Sequence, residues 1–329
     1  MNIRSGFLLL TLALSASAHA APRDAVTFVG VLEQMRGHYD AMLFNVQAGD
    51  QALALKHASH PANELYDAVK ADLTPDLRAR FLKDFQGINA ALKANRPQAV
   101  QAALTGFSAN VDQAIATVPA ATRSDPKYGA RVISAILSNT KTEYSGGVSG
   151  GKVSNPAEYQ DARFYLARAT GWLTRYQTKF PADQGGQTAA ALRQARALLT
   201  AQADAKLFSA QLDRARTELS EISGDPLAPG RGPMADLASI ETLLTTAKQH
   251  YTGGMTDAAN EAVISAYLDH YEQLEAPLAV KNKTLELKLE ETLKNGLREL
   301  IREKVTPARF SAAVDATLRE LQTARGLLQ

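Results

Sequence analysis

The chain contains no cysteine. This absence excludes disulfide bonds, covalently attached c-type haem, cysteine-ligated zinc and a thiol nucleophile. Stability must therefore come from burial of a hydrophobic core, and 329 residues are enough to build one.

Aromatic residues are scarce, at 6% of the sequence, while alanine and leucine are abundant. Alanine and leucine favour helices, whereas strands favour aromatic and β-branched residues. No convincing alternation of apolar and polar residues predicts a strand. We therefore expect an all-α fold of antiparallel helical bundles with short loops and no substantial sheet.

Several function classes find no support in the sequence. A formal net charge of +2 gives no reason to expect nucleic acid or an anionic membrane as a partner. After the N-terminal segment, no stretch reaches the roughly eighteen apolar residues of a membrane-spanning helix. Nucleophile elbows, P-loops, zincin motifs and dinucleotide fingerprints are all missing from the sequence, which predicts a protein that is not an enzyme.

Residues 1–20 have the pattern of a secretory signal peptide. Arg4 precedes an apolar core from Phe7 to about Leu14, and Ala18-His19-Ala20 forms a small-residue cleavage site. We expect export to the periplasm as a soluble protein.

Proline and glycine divide the remaining chain. "SGDPLAPGRGPM" (223–234) is the strongest linker signal, and it separates a predicted N-terminal bundle domain (21–222) from a C-terminal bundle domain or sub-bundle (234–329), with 223–233 as the linker. "PAATRSDPKYG" (119–129) is predicted to be a loop. Helices are expected near 28–46, 51–59, 62–73, 75–94, 96–117, 127–143, 156–178, 187–202, 205–222, 234–252, 256–276, 282–304 and 306–328.

The first candidate metal site is His57, His60 and Glu64. On a continuous helix these three residues share one face, and two imidazoles with a carboxylate suit zinc, iron or copper. Pro61 is expected to interrupt the helix, however. In the alternative interpretation His60 caps a helix start, Glu64 complements the positive helix end and His57 packs in a helix interface.

The second candidate site is Glu143, Glu158 and Asp161. Glu158 and Asp161 share a helix face, and a glycine-rich loop could bring Glu143 back towards them. Oxygen ligands of this kind suit Fe(III), manganese or calcium. The alternative is that Glu158 only complements the positive end of its helix.

The third candidate set is Asp269, His270, Glu272 and Glu275. Their spacing places them within a turn or so of one another on one helix. The alternative interpretation gives the core stripe to Tyr267, Tyr271, Leu274 and Leu278, and leaves the acidic residues on the solvated face.

Three ordered stretches resemble the periplasmic, non-membrane region of bacterial high-affinity iron permeases. They are "ALKHASHPANELYDAV" (54–69), "EYSGGVSGGKVSNPAEYQDARFYLARA" (143–169) and "DAANEAVISAYLDHYEQLEAPL" (257–278) with "LELKLEETLKNGLRELI" (285–301). The permease's membrane helices, with their Arg-Glu-x-x-Glu iron motif, are absent, so the chain is not itself expected to be a permease.

The resemblance implies a stand-alone accessory protein of iron uptake, which holds or delivers ions to a separate inner-membrane iron permease. Iron is the implied ion, with copper or zinc as alternatives, and haem c is excluded. The competing hypothesis is a non-catalytic structural or protein-interaction module without bound metal. The oligomeric state is not predicted.

Overall fold

The computed structural model describes residues 21–225 and 233–329. The signal peptide predicted at 1–20 and most of the predicted linker lie outside these residues. The described chain is helical apart from one short strand pair, which confirms the all-α prediction. Its elements are α1 (Ala25–Ala48), α2 (Gln51–His60), π1 (Pro61–Leu65), α3 (Tyr66–Val69), α4 (Pro75–Lys93), α5 (Pro97–Ala116), α6 (Ala120–Ser124), α7 (Pro126–Gly147), β1 (Val148–Ser149), β2 (Lys152–Val153), α8 (Pro156–Tyr176), α9 (Ala182–Thr200), α10 (Ala205–Ser223), α11 (Pro233–Thr252), α12 (Thr256–Ser265), π2 (Ala266–Tyr271), α13 (Glu272–Glu291), π3 (Thr292–Gly296), α14 (Leu297–Arg302) and α15 (Pro307–Leu328).

Proline marks many of the helix starts, as the sequence predicts. It opens α4, α5, α7, α8 and α15. The first turn tolerates proline because its N–H would have no partner within the helix. The preceding residue is often a side-chain cap, as at α8, where Asn155 Oδ1 accepts from the Ala157 N–H at 3.2 Å.

The glycine-rich stretch after α7 forms a tight antiparallel turn. Val148 pairs with Val153 and Ser149 with Lys152. Gly150 and Gly151 have φ of 57° and 72°, a left-handed conformation that suits glycine. This small strand pair was not predicted. The expectation of a loop over 119–129 was also wrong in part, because α6 occupies 120–124.

The prediction that Pro61 interrupts its helix is wrong. The chain stays helical from α2 through π1 into α3, and Tyr66 N–H donates to Pro61 O across a wider π-turn. A different break does follow the predicted pattern. Asn282 within α13 has φ −158° and ψ 90°, and its side chain accepts from the Leu285 N–H at 3.0 Å, where a new helix was expected to start.

The buried hydrophobic side chains form two clusters. One runs from Phe28 in α1 to Ile222 in α10, and the other runs from Leu237 in α11 to Ala324 in α15. We call residues 21–225 the N-terminal lobe and residues 233–329 the C-terminal lobe. Leu268 packs against both clusters, so the lobes are in contact. Whether they are separate folding domains stays a prediction.

Ion pairs link the two lobes along one side. Asp67 Oδ2 lies 2.7 Å from Arg298 Nη2, and Glu64 Oε1 lies 3.0 Å from Lys294 Nζ. A third pair, Arg23 Nη2 with Glu261 Oε1 at 3.1 Å, is largely solvent-exposed. Exposed pairs contribute little, so the two partly buried pairs carry more of this contact.

Candidate metal centre

Three buried side chains from three helices converge inside the N-terminal lobe. His38 of α1 places Nδ1 2.8 Å from Asp161 Oδ1, and His57 of α2 places Nδ1 3.1 Å from the same oxygen. One ligand atom from each residue lies within 4.8 Å of the other two. His38, His57 and Asp161 are 4%, 0% and 1% exposed, so this histidine–aspartate centre is almost completely shielded from bulk water.

Close packing between α1 and α8 positions His38. Gly37 lies so near Tyr165 that a Cβ there would be 2.4 Å from the ring carbon Cδ1. Because glycine leaves this space open, the Tyr165 ring reaches α1 and its hydroxyl lies 2.7 Å from His38 Nε2. The tyrosine therefore holds one ring nitrogen of His38, while the other faces Asp161.

A chain of amide hydrogen bonds sets the tautomer of His57. Asn45 Nδ2 donates to the Ala41 carbonyl at 2.8 Å, which fixes the orientation of the Asn45 amide. Asn45 Nδ2 also donates to Gln160 Oε1 at 2.6 Å, and Gln160 Nε2 donates back to Asn45 Oδ1 at 3.2 Å. Gln160 Oε1 is therefore an acceptor, and the His57 nitrogen 2.8 Å from it, Nε2, must carry the proton. Neutral His57 then presents a bare Nδ1 lone pair to Asp161.

The inner atoms of this centre are not satisfied by one another. His38 Nδ1, His57 Nδ1 and Asp161 Oδ1 are buried at hydrogen-bond distance, yet none has an aligned hydrogen-bond partner. An unsatisfied buried polar group is costly. A lone pair facing a carboxylate is stabilised only by a proton or a metal cation between them.

The pKa shifts of Asp161 and His57 agree with this geometry. Burial acts to raise the pKa of Asp161, but the adjacent His38 and His57 outweigh it and hold that pKa well below its usual range. Burial acts to lower the pKa of His57, but the nearby negative charge of Asp161 outweighs it, so the net pKa is raised. Asp161 therefore stays a carboxylate that attracts positive charge to the imidazoles.

His60 and Glu64 border this centre. The His60 ring centroid lies 4.6 Å from that of His38, and His60 Nδ1 lies 3.5 Å from Glu64 Oε2. Burial, followed by the neighbouring His38 and the positive charge of Lys294, keeps the pKa of His60 well below its normal value. His60 is therefore a neutral imidazole, the form that ligates metals. The alternative of a helix-capping His60 is wrong, because the helix continues through it.

Carboxyl groups from both lobes collect beside the centre. Burial, followed by the charges of Glu158 and Asp161, raises the pKa of Glu143 well above its usual value. The pKa of Glu275 is raised by burial and then by Glu158, and Glu272 contributes to both shifts. Glu143 and Glu158 of the second set therefore interact electrostatically with Glu272 and Glu275 of the third set across the boundary between the lobes.

The third set divides in the structure. Tyr267, Tyr271, Leu274 and Leu278 are buried, which confirms the predicted core stripe. The expectation that the acidic residues lie on a solvated face was wrong for Glu275, because its Oε1 is fully buried. His270 points elsewhere, since its Nδ1 lies 3.0 Å from Asp236 Oδ1. The side chain of Asp269 lies outside the described residues.

Sequence reasoning missed His38, which lies in α1 outside the three stretches that carry the candidate sets. One signal was available: the chain has only six histidines, and of the five after residue 20 only His38 and His250 belong to no candidate set. Glu158 occupies the helix position that its alternative interpretation predicts, and its role as a metal ligand stays a prediction. It lies in the first turn of α8, where it accepts from Asn155 Nδ2 at 3.3 Å, and it also joins the carboxyl cluster.

Comparison with known families gives one match. Residues 119–226 match the family described as the iron permease-associated 4-helix bundle domain, which confirms the resemblance to the iron permease family over this region. The matched region contains Glu143, Glu158 and Asp161. No curated protein and no solved structure gives a significant match to the chain. Within residues 21–225 and 233–329, no helix combines the length and apolar character needed to cross a membrane.

Proposed function

Because residues 119–226 match the iron permease-associated 4-helix bundle domain, we propose that the chain is an exported, non-catalytic metal-binding protein of iron uptake. It holds a transition-metal ion as cargo at His38, His57 and Asp161. It then delivers the ion to a separate inner-membrane permease. The observation that carries the proposal is the convergence of three buried, unsatisfied ligand atoms on one point.

The donor set supports a transition metal over an alkaline-earth ion. Two imidazole nitrogens and one carboxylate oxygen suit iron, copper and zinc, whereas calcium and magnesium prefer oxygen ligands. His60 borders the centre as a neutral imidazole but is not one of the three proposed ligands. Iron is favoured among these metals only by the family match, because all three fit the same donors.

The surroundings of the two histidines have the arrangement expected around a metal ligand. Each ring offers Nδ1 to the centre while its Nε2 is held by a partner, Tyr165 for His38 and Gln160 for His57. Such partners fix the ring orientation and tautomer of ligating histidines. This support does not require any movement of the backbone.

Calorimetric titration of the purified chain with Fe(II) under anaerobic conditions, and with Zn(II) and Cu(II), tests the proposal. His57→Ala and His38→Ala are each expected to weaken binding by about 100-fold or more, since even outer partners of metal ligands contribute about 10–100-fold. The matched control is His250→Ala, because His250 lies on α11 in the other lobe. Equal loss in all three variants, or no binding tighter than about millimolar by wild type, would contradict the proposal.

The competing function is a structural or interaction module in which protonated histidines simply pair with Asp161. The 2.8 and 3.1 Å contacts permit that arrangement. It predicts that metal ions leave the melting temperature unchanged, whereas a specifically bound ion raises it with the logarithm of the ligand excess. A metal-dependent rise that disappears in His57→Ala would exclude the structural module.

A further inference from the structure

A buried ammonium group lies among carboxylates between the two lobes. Lys294 Nζ is 3.0 Å from Glu64 Oε1 of the N-terminal lobe and 3.4 Å from Glu290 Oε1 of its own lobe. It also lies 5.9 Å from the centroid of the Tyr267 ring. The Lys294 side chain is only 16% exposed, so this positive charge is held in place by the protein.

The acidic groups around Lys294 exceed the single positive charge that it supplies. Burial, followed by the negative charges of Glu158, Glu290 and Glu272, raises the pKa of Glu275, and the positive charge of Lys294 lowers it. Its Oε1 is fully buried and has no hydrogen-bond partner, so the ammonium does not satisfy this carboxyl group. A buried carboxylate oxygen without a hydrogen-bond partner indicates a ligand position that the protein does not itself fill.

The backbone is unusual at this place. Within the described residues, π1 carries Glu64, π2 carries Tyr267 and π3 carries Lys294, so all three π-helical segments border one cluster. π-Turns are rare and occur often at functional sites.

We propose that Glu64, Glu275 and Glu290 form a second cation site, and that the Lys294 ammonium occupies it until a hard divalent cation displaces it. This inference goes beyond the proposed histidine–aspartate centre, and its test does not depend on that centre being occupied. The ligands are oxygen only, which suits Mn²⁺ or another hard cation rather than a nitrogen-preferring metal. Since the carboxylates come from both lobes, the cation joins the lobes directly.

A Mn²⁺ binding assay tests this site. Binding is measured as loss of the electron paramagnetic resonance signal of the free ion. All arms carry His57→Ala, so that the first centre is disabled. In this background Lys294→Met is expected to tighten Mn²⁺ binding by at least about tenfold, because a neighbouring positive charge is removed from a buried site. Adding Glu275→Gln to Lys294→Met should abolish the gain.

The matched control is Lys281→Met, which removes an exposed lysine of the same lobe. Unchanged Mn²⁺ binding in Lys294→Met, or an equal gain in Lys281→Met, would overturn the proposal. Failure of the histidine–aspartate centre has a different signature. In that case His57→Ala would bind Fe(II) and Zn(II) as the wild type does, whatever the outcome with Mn²⁺.

A second measurement applies to the unmodified chain and does not depend on how Lys294→Met folds. If a cation displaces Lys294, its amine becomes more accessible to an acetylating reagent. Mn²⁺ is expected to raise the acetylation of Lys294 by at least about twofold relative to Lys281, as read by peptide mass spectrometry, since a released ammonium regains solvent and rotamer freedom. Acetylation of Lys294 that is unchanged or reduced by Mn²⁺ would contradict the displacement.

Discussion

The histidine–aspartate centre and the carboxylate cluster around Lys294 lie side by side but are built in different ways. The first belongs to one lobe, and its side chains are fixed by helix packing and by the amide chain from Ala41 to His57. The second requires both lobes, and an internal ammonium already fills part of it. The comparison teaches that the first site is preorganised, whereas the second depends on how the lobes dock.

The largest expected effect distinguishes the two sites by their ligands. Asp161→Asn removes the only carboxylate of the histidine–aspartate centre, so Zn(II) binding should weaken by more than about 100-fold, beyond the effect of losing an outer partner. When Asp161→Asn is added to the Lys294→Met chain, Mn²⁺ binding should stay unchanged. Calorimetry with both ions provides the measurement, and parallel losses of both would show that the sites are not independent.

The next effect tests the dependence on docking. Arg298→Met breaks the partly buried pair with Asp67, and should cost about 1.5–3 kcal/mol of unfolding free energy, the range for hydrogen bonds to charged groups. Zn(II) affinity should stay the same. Urea denaturation gives the stability change. Arg302→Met is the control, because Arg302 is 75% exposed and its pair with Glu299 spans 3.8 Å. Similar losses of stability in both variants would show that the Arg298–Asp67 ion pair does not contribute specifically to stability.

Packing at the first centre can be tested with two glycines. Gly37→Ala forces the added methyl group against Tyr165, which should destabilise the fold by about 1–3 kcal/mol. It should also weaken Zn(II) binding, because a displaced Tyr165 no longer holds His38 Nε2. Gly87→Ala on α4 meets no atom within 4 Å and should instead stabilise by about 0.4–1 kcal/mol. Thermal and chemical denaturation read both changes. An unchanged Zn(II) affinity in Gly37→Ala would show that Tyr165 does not position His38 for metal binding.

The smallest expected effect concerns the tautomer of His57. Gln160→Met keeps the side-chain length but removes the acceptor for His57 Nε2–H, so Zn(II) affinity should fall by about tenfold while Mn²⁺ binding at the second site is retained. Titration of the two ions in parallel measures this. A Zn(II) affinity equal to that of wild type would show that the amide chain does not orient the histidine.

The sequence predicts the helices well because local residues determine them. Alanine-rich segments, proline at helix starts and glycine at turns are signals that need no distant partner, as at Asn155-Pro156 and Gly150-Gly151. Pro61 misled the prediction because the chain widens into a π-turn, in which Tyr66 N–H bonds to Pro61 O. That choice depends on the tertiary contacts around π1 and has no local signal.

The candidate site could be predicted only in pieces. His57 and Asp161 were identified in separate sets, since spacing along one helix relates residues of that helix alone. Their meeting with His38 is a consequence of how α1, α2 and α8 pack. Likewise, nothing near Lys294 in the sequence shows that its ammonium contacts Glu64 in the other lobe.

X-ray absorption spectroscopy of the Zn-loaded chain tests the central claim most directly. We predict a first shell of nitrogen and oxygen at about 2.0–2.2 Å, with outer-shell scattering from two imidazole rings. His57→Ala should remove the scattering of one ring, while His250→Ala should leave both. A first shell of oxygen alone, or a spectrum that does not change in His57→Ala, would contradict a metal centre at His38, His57 and Asp161.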